Sequence, residues 1–476
     1  MVDGNPGDGH GRADRLTDRI GLGVLTRLVH RDLVDEVLAQ TDRTQRRRRL
    51  LPARVVVYFV LAMTLFFDDA YEEVMRKLVE GLRFFRSWDE HWQVPTSSAL
   101  CQARARLGAE PIRELYARVA RPLAGAGTPG AWLGDLRVIA IDGVQLDVPD
   151  TADNEDAFGR GVSQGLDAPY PKVKVLGLGE CGTHAVIDAH LGGVLVDERE
   201  LARPLLASID SGMLVLADRG FYSREFWDEA ADTGAQLLWR VQSSLKLHVV
   251  TDLADGSYLS VLLTDIERQR IRRHRARGLH TVPQGPTVRV IEYDIANRDS
   301  QSATPIRLIT TILDPEQASA GELAAVYHRR WEFESSLAEI ETRQRGSYRV
   351  LRSHSPEMVR QEIWALLLTH YAIRALMYEA TDPERLDPLR MSFIRTLRIV
   401  RRHVTGQAGF PPDRLATNLR HALAEILARP NPARRLRTYP RVTKRASGTK
   451  FPRKRLDHTN IRHRSPPEIR LTRLQS

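Results

Sequence analysis

Cysteine is nearly absent from this chain of 476 residues, which contains only Cys101 and Cys181. Two cysteines so far apart form neither a disulfide framework nor a zinc-binding spacing, and this usage is typical of a reducing compartment. The N-terminal segment is polar and rich in glycine, so the sequence also lacks the apolar stretch of a secretory signal. We therefore expect a cytoplasmic protein.

Long apolar runs are scarce as well. The longest one, residues 55–67, is bounded by Arg54 and Asp68. A helix needs about 20 apolar residues to span a bilayer, so this run predicts a buried core helix. We expect a soluble protein that makes no contact with a membrane.

Acidic residues are outnumbered by basic ones, which gives a formal net charge of +10 and a pI of about 9.8. This excess favours an anionic partner but does not identify it. The end of the chain combines many arginines and lysines with proline, glycine and serine. Such a composition predicts a flexible basic tail that can contact phosphates.

The hydrophobic periodicity divides the chain into segments. Apolar residues recur at helical spacing up to residue 126, the pattern then changes to strands with intervening helices, and helices resume after residue 315. Strands that alternate with helices predict a mixed α/β sheet with helices against its faces. The predicted segments are a flexible N-terminus (1–15), a helical domain (16–126), the first part of an α/β core (135–242), a β-rich insertion (243–314), the last part of the core (315–380), and C-terminal helices with the basic tail (381–476).

Two acidic residues interrupt apolar strands. Asp142 lies in the stretch VIAIDGVQ, and Asp218 follows the apolar stretch MLVLA. A carboxylate at such a position is costly unless it is paired or metal-bound. Capping of a turn is an equally open interpretation for each of them taken alone.

A third acid, Glu334, lies in the stretch YHRRWEFESSLAEIETRQRG. A predicted helix over residues 325–342 would bring six side chains to one face; they are Tyr327, Arg330, Trp331, Glu334, Ala338 and Glu341. This face suits a surface that grips an anion around a metal. The open alternative is a solvated helix with an Arg330–Glu334 ion pair, which stabilises a helix by only a few tenths of a kcal/mol.

Three carboxylates brought together from two strands and a helix would be hard oxygen ligands, as Mg²⁺ prefers. Two such ions can activate a water or a 3′-hydroxyl and stabilise the leaving oxygen in phosphodiester chemistry. On the predicted helix after residue 96, Arg104 and Arg106 are candidates for docking in a DNA groove. A solvated helix face explains them equally well.

These residues resemble the bacterial DDE transposases of the family-four insertion sequences, whose third block reads Y-x2-R-x3-E-x6-K. Tyr327, Arg330 and Glu334 fall at those spacings, and the first two blocks resemble IAIDGVQLDVPDT and LADRGFYS. The likeness covers nearly the whole chain. It implies an RNase H-like core in which Asp142 and Asp218, together with the glutamate, bind two Mg²⁺ ions, with Mn²⁺ as a substitute.

The resemblance also implies roles on DNA. The expected activity is cut-and-paste transposition by a homodimer that synapses two element ends and joins them to target DNA. Tyr327 and Arg330 would grip phosphates near the scissile bond, and Trp331 would stack an unpaired base, with buried packing as the open alternative. The helical domain would read the terminal inverted repeats, with Arg104 and Arg106 as candidate contacts. The expected location is the cytoplasm, at the nucleoid.

One position departs from the family pattern. Glu341 stands where the family has a lysine that would meet backbone phosphate, and Arg345, about one turn further on, is the residue that could compensate. An alternative function is therefore a weakened or decayed copy that acts only as a DNA-binding protein. An RNase H-like nuclease without strand transfer is a third hypothesis, while the basic tail and the arginine-rich third block argue against a two-carboxylate glycosidase.

Overall fold

The computed structural model describes residues 20–44, 51–80, 93–163, 166–279, 282–295, 305–346, 350–382, 385–407, 412–432 and 469–472. The flexible segment predicted for residues 1–15 lies outside the described residues, and so does most of the predicted basic tail.

Helices build the first part of the described chain. They are α1 (Arg31–Gln40), α2 (Ala53–Leu65), α3 (Tyr71–Glu80), α4 (Ser97–Leu107) and α5 (Glu110–Val119). Helix α2 is buried on all sides, as the apolar composition of its sequence predicts. None of the helices in the described ranges combines the length and the apolarity that crossing a bilayer requires.

A mixed sheet follows these helices. Its elements are β1 (Trp132–Leu133), β2 (Leu136–Asp147), α6 (Ala152–Phe158), β3 (Val162–Ser163), β4 (Leu166–Asp167), β5 (Lys172–Glu180), β6 (Val186–Gly193), α7 (Glu198–Ala202), β7 (Met213–Ala217), α8 (Arg224–Ala231) and β8 (Gln236–Val241). The strand order is β6-β5-β2-β7-β8. Strand β5 runs antiparallel to both neighbours, whereas β2, β7 and β8 are parallel. This order and these directions are those of an RNase H-like core, so the predicted fold class is confirmed.

The β-rich insertion continues the same sheet. It contains β9 (Thr251–Asp252), β10 (Tyr258–Val261), α9 (Asp265–Ala276), β11 (Thr287–Ile295) and β12 (Ile306–Thr310). Strand β12 pairs antiparallel with β8, and the order then runs through β11 and β10 to β9. The insertion is therefore joined to the core by backbone hydrogen bonds. Helix α9 is not among the predicted elements.

The last part of the described chain is helical again. It comprises α10 (Ala320–Tyr327), α11 (Arg330–Ala338), a π-helical turn (Glu339–Gln344), α12 (Pro356–Thr381), α13 (Phe393–Gln407), α14 (Pro412–Leu427) and the short strand β13 (Ile469–Leu471), which pairs with β11. Helix α12 packs against α2 and α5 and is buried over most of its length. It thus connects the N-terminal helices to the core.

The single helix predicted over residues 325–342 is wrong. The chain turns at His328 and Arg329, and it changes to a π-helix after Ala338. Tyr327, the last residue of α10, packs at the exit of β7, and α11 contacts β2. Of the six side chains predicted to share one helical face, Tyr327 ends α10 and Glu341 lies in the π-helical turn, while the other four lie on α11.

Candidate active site

Asp142 and Asp218 lie side by side on two neighbouring strands. Strands β2 and β7 are parallel, and Ile141 pairs with Ala217. The residues that follow this pair are the two aspartates, and hydrogen-bonded strands lie about 4.8 Å apart. Asp218 comes directly after the last residue of β7, so both carboxylates are at the edge where that strand ends.

Glycines in β5 allow α11 to approach the sheet closely. Gly177 pairs with Asp142, and a Cβ on Gly179 would collide with the ring of Phe333. The ring of Phe333 is fully buried against these two glycines. The absence of side chains at the two glycines therefore lets the helix settle on the sheet, and this brings Glu334 to the same edge as the aspartates.

Arg330 connects two of the three carboxylates. Its Nη1 donates to Oδ2 of Asp142 at 2.7 Å, and its Nη2 donates to Oε1 of Glu334 at 2.7 Å. The Arg330 side chain is only 5% exposed, whereas Asp142 is 20% and Glu334 is 40% exposed. Burial opposes the charge of Arg330, but the surrounding acidic groups outweigh it and raise its pKa. The Arg330–Glu334 pair of the alternative interpretation is thus present, and it belongs to a larger cluster.

Asp142 holds the most perturbed carboxylate of the cluster. Burial raises the pKa of Asp142 to about 6, and the negative charges of Glu334 and Asp218 act in the same direction. The backbone N–H of Gly143, at 2.8 Å, and the Arg330 guanidinium act against this rise. Any additional positive charge near this buried carboxylate stabilises its ionised form.

Two further groups surround Asp218. The hydroxyl of Tyr327 donates to Oδ1 of Asp218 at 3.4 Å, and Nη1 of Arg240 lies 3.8 Å from the same oxygen. Tyr327 is buried, and its burial raises the pKa of its phenol. Tyr327 and Arg330 therefore contact the two aspartates, although they lie on different helices.

Trp331 points outward next to this cluster. It is 51% exposed, and its ring centroid lies 5.5 Å from the guanidinium carbon of Arg330. The alternative of buried packing for Trp331 is therefore wrong. An exposed indole beside the carboxylates is available to a planar ligand.

Arg104 cannot contact DNA in this structure, and that prediction is wrong. Its side chain is fully buried and donates to Gln361 Oε1 at 3.0 Å and to Ser353 Oγ at 2.9 Å. Arg104 ties α4 to α12 and the segment before it, because a buried guanidinium needs several acceptors. Arg106, on the same helix, is exposed and remains a candidate contact.

The compensation predicted for Arg345 is wrong as well. Arg345 is 1% exposed, its guanidinium carbon lies 5.8 Å from the ring centroid of Phe67, and burial lowers its pKa. Glu341 is exposed and lies within the π-helical turn Glu339–Gln344. The helical angle count that related the two residues fails because this segment is not α-helical.

The opposite side of α11 carries a buried network that the sequence analysis missed. His184, in the turn between β5 and β6, contacts Glu332 Oε2 through Nε2 at 3.1 Å and Arg374 Nη2 through Nδ1 at 2.8 Å. Arg374 also binds Glu339, which lies 3.2 Å from Nε2 of His370. The network fixes α11 between the β5–β6 turn and α12. His184 has a left-handed backbone, at a φ of 61°, which the sequence around it does not indicate.

The donor set of the carboxylate cluster suits a hard divalent cation, because all three candidate ligands offer carboxylate oxygens. As they stand, no three Asp, Glu, His or Cys side chains within the described ranges lie close enough together to hold a metal ion. Arg330 takes up one oxygen of Asp142 and one of Glu334. Arg330 therefore competes with a metal for these two oxygens.

Comparison with known proteins adds independent findings. The model described as transposase DDE domain matches residues 134–371, and the model described as insertion element 4 transposase N-terminal matches residues 19–117. The chain is 28% identical over 416 residues to the transposase InsG for insertion sequence element IS4 of Escherichia coli (strain K12), which covers 87% of this chain and 90% of that protein. Among solved structures, a piggyBac transposase synaptic complex with hairpin DNA aligns over 84% of each chain with a TM-score of 0.44 and 10% identity.

Proposed function

The chain belongs to the DDE transposase family of the IS4 type, and from this membership we propose that it cleaves DNA at the ends of its insertion sequence and joins those ends to target DNA. One observation carries the proposal: the pairing of β2 with β7 and the close seat of α11 bring Asp142, Asp218 and Glu334 to one edge of the sheet. Asp142, Asp218 and Glu334 are the catalytic residues in this proposal.

We propose that the same three carboxylates hold two Mg²⁺ ions, which Mn²⁺ can replace. DDE transposase domains generally use divalent metals, and oxygen ligands with excess negative charge are the donor set that Mg²⁺ requires. When bound, such ions activate the attacking water or 3′-hydroxyl and stabilise the leaving oxygen. Burial is the main cause of the raised pKa of Asp142, and a bound cation would stabilise its charged form.

Arg330 has two partners in this mechanism. Without DNA it binds Asp142 and Glu334. With DNA, its guanidinium moves to the phosphate next to the scissile bond, where a planar fork of donors suits two phosphate oxygens. Tyr327 remains next to the site, because its hydroxyl donates to Asp218 Oδ1 at 3.4 Å.

Trp331 is the proposed stacking surface for an unpaired base. It is half exposed and lies directly beside Arg330, so a base that leaves the duplex near the scissile phosphate meets an indole face. Stacking on an aromatic side chain contributes about 1–3 kcal/mol per base.

The remaining parts of the proposal concern the assembly. The N-terminal helices read the terminal inverted repeats, with Arg106 as an exposed candidate contact. Two copies hold two DNA ends in a synaptic complex, in the cytoplasm and at the nucleoid.

A second candidate function is a catalytically weakened copy that only binds DNA. It rests on one observation, the exposed Glu341 at the position of the family lysine, with Arg345 buried elsewhere. A glutamate there repels a phosphate backbone. The variant Glu341→Lys tests it: if the copy is weakened at this position, the lysine raises the rate of joining, and an unchanged rate excludes position 341 as the limiting residue.

The main proposal is tested with DNA that carries the ends of the insertion sequence, in the presence of Mg²⁺ or Mn²⁺. The wild-type protein cleaves this DNA and not a scrambled control, while Asp142→Ala cleaves neither. Binding of the same DNA by Asp142→Ala, measured in a chelator, shows that the variant is folded. Equal cleavage by both proteins contradicts the assignment of the site.

A further inference from the structure

A basic groove lies between the core and helix α9 of the insertion. The cavity has a volume of about 770 Å³. It is bounded on the core side by the turn after β7 and the segment after β8, and on the insertion side by α9. Its lining includes six polar or charged side chains: Arg219, Tyr222, Gln242, Lys246, Arg268 and Arg272. None of these six is among the residues assigned to the active site.

The groove carries excess positive charge. Four cationic side chains line it, and the one acidic residue in its lining, Asp265, pairs with Arg268 at 2.8 Å. No carboxylate in the described part of the chain forms an ion pair with Arg219, Lys246 or Arg272, and all three are exposed. Tyr222 and Gln242 add hydrogen-bonding groups. This lining suits a polyanion with several separate charges rather than a single compact anion.

One face of α9 forms the outer wall. Asp265, Arg268, Gln269 and Arg272 follow the i, i+3, i+4, i+7 spacing of a helix face, and all four line the groove. Arg268 and Arg272 are one turn apart, about 6 Å along the axis. No residue of α9 is buried, so packing does not explain its arginines.

The two walls of the groove are held together. Strand β12 of the insertion pairs with β8 of the core, and Nη1 of Arg224 on α8 donates to the carbonyl of Leu262, just before α9, at 2.5 Å. A groove between segments fixed in this way is present before any ligand arrives.

The lining of the groove begins at the residue after one of the carboxylates. Arg219 follows Asp218 in the sequence, and Gln242 lies two residues after Arg240, which is 3.8 Å from Asp218. The groove lining is therefore adjacent to the carboxylates, where the strand next to a bound phosphate would lie.

We propose that the groove binds the sugar-phosphate backbone of a DNA strand next to the scissile phosphate, with Arg219, Lys246, Arg268 and Arg272 contacting consecutive phosphates. The inference rests on the proposed function, which supplies the DNA. The strand belongs either to the insertion-sequence end or to the target, and both offer the same phosphodiester chemistry.

The test compares two exposed arginines on the same helix. Arg272→Gln removes a cation from the groove, while Arg273→Gln, which does not line the groove, is the matched control. Lys246→Gln is the corresponding variant on the core wall. Binding of a labelled end-containing duplex and of an unrelated duplex is measured by fluorescence anisotropy over a range of salt concentrations, with chelator present.

A side chain that neutralises one phosphate contributes about 0.9 to the slope of log K against log salt for duplex DNA, and about 0.7 for a single strand. We expect the slope to become shallower by this amount for Arg272→Gln and Lys246→Gln, by the sum for the double variant, and not at all for Arg273→Gln. Equal slopes for Arg272→Gln and Arg273→Gln overturn the inference. Urea denaturation of each variant shows whether it is still folded. If one groove variant has lost its fold, the salt slope of the variant on the other wall tests the inference.

Two activity assays separate the sources of the strand. If the groove holds the insertion-sequence end, the groove variants reduce end cleavage; if it holds target DNA, they reduce only the joining of pre-cleaved ends. The salt slope is measured by binding alone and needs no catalysis. If the wild-type protein fails to cleave, the proposed function is contradicted, but the salt slopes still test the groove.

Discussion

Helix α11 presents two clusters of charged side chains that differ in their access to solvent. On one side, Arg330 binds Asp142 and Glu334, whose side chains are 20% and 40% exposed. On the other side, Glu332, which is 21% exposed, contacts His184, and both His184 and its partner Arg374 are only 3% exposed. Glu334 and Glu332 are therefore only two residues apart on α11, yet the first is accessible and the second belongs to a buried network.

The two clusters respond differently to the removal of a partner. Removal of one member of a buried ion pair leaves an uncompensated charge in a medium of low dielectric constant, which is strongly destabilising. Glu334, which is 40% exposed, is solvated by water when it loses its partner, so the change costs little there. The accessible cluster can thus exchange an arginine for another cation, whereas the buried one keeps the helix in place.

The largest expected effect on stability comes from the buried network. Arg374→Met leaves Glu339 without its main partner, and we expect the free energy of unfolding to fall by roughly 3–5 kcal/mol. Urea denaturation measures it. The control is Arg199→Met, which breaks an ion pair with Asp197 at the surface and should change stability by less than about 1 kcal/mol. Similar losses for both variants would remove the distinction between the clusters.

A second prediction concerns pH. Burial and the positive charge of Arg374 lower the pKa of His184 from 6.5 to about 4. Between these values the unfolded chain binds more protons at this residue than the folded one, so the stability contributed by neutral His184 is full above pH ~6.5 and is lost as the pH drops towards 4. The raised pKa of Asp142 acts in the opposite direction below pH ~6. The expected loss is on the order of 2–3 kcal/mol.

The variant His184→Asn checks this prediction, because asparagine tolerates the left-handed backbone and does not titrate in this range. It should be less stable at neutral pH and should lose stability less steeply on acidification. The same pH slope in both proteins would assign the acid sensitivity to another group.

The third and smallest effect is in metal binding by the accessible cluster. Arg330→Met frees one oxygen each of Asp142 and Glu334 and removes a nearby positive charge. We expect the affinity for Mn²⁺, measured by electron paramagnetic resonance without DNA, to rise about tenfold, or ~1.4 kcal/mol. Arg329→Met, whose guanidinium bonds the carbonyl of Trp132 instead, is the control. A weaker affinity in Arg330→Met would mean that Arg330 does not compete with the metal.

The sequence predicted the accessible cluster better than the buried one, for a physical reason. An acid after an apolar strand is an unusual pattern, and Asp142 and Asp218 stand in such patterns. The partners of the buried network are distant in sequence: His184 and Arg374 are 190 residues apart. No local pattern links them, and only the completed fold brings them together.

Arg104 failed as a prediction for the same reason. Its burial depends on acceptors more than 240 residues away, among them Ser353 and Gln361. Helix α9, in contrast, had a readable local signal: Thr264 followed three residues later by Glu267 is the pattern of a helix N-terminus, and the Thr264 hydroxyl accepts from that backbone N–H at 3.2 Å.

The most direct test of Glu334 as a catalytic residue compares Glu334→Gln with Glu332→Gln, two isosteric changes on one helix. Each variant is measured for cleavage of end-containing DNA and for unfolding in urea. We predict that Glu334→Gln loses cleavage by at least about 1,000-fold, or ~4 kcal/mol, at nearly unchanged stability. We predict that Glu332→Gln loses about 1–3 kcal/mol of stability and cleaves within about tenfold of wild type. Cleavage retained by Glu334→Gln, or lost equally in both variants, would contradict the division of α11 into a catalytic and a structural side.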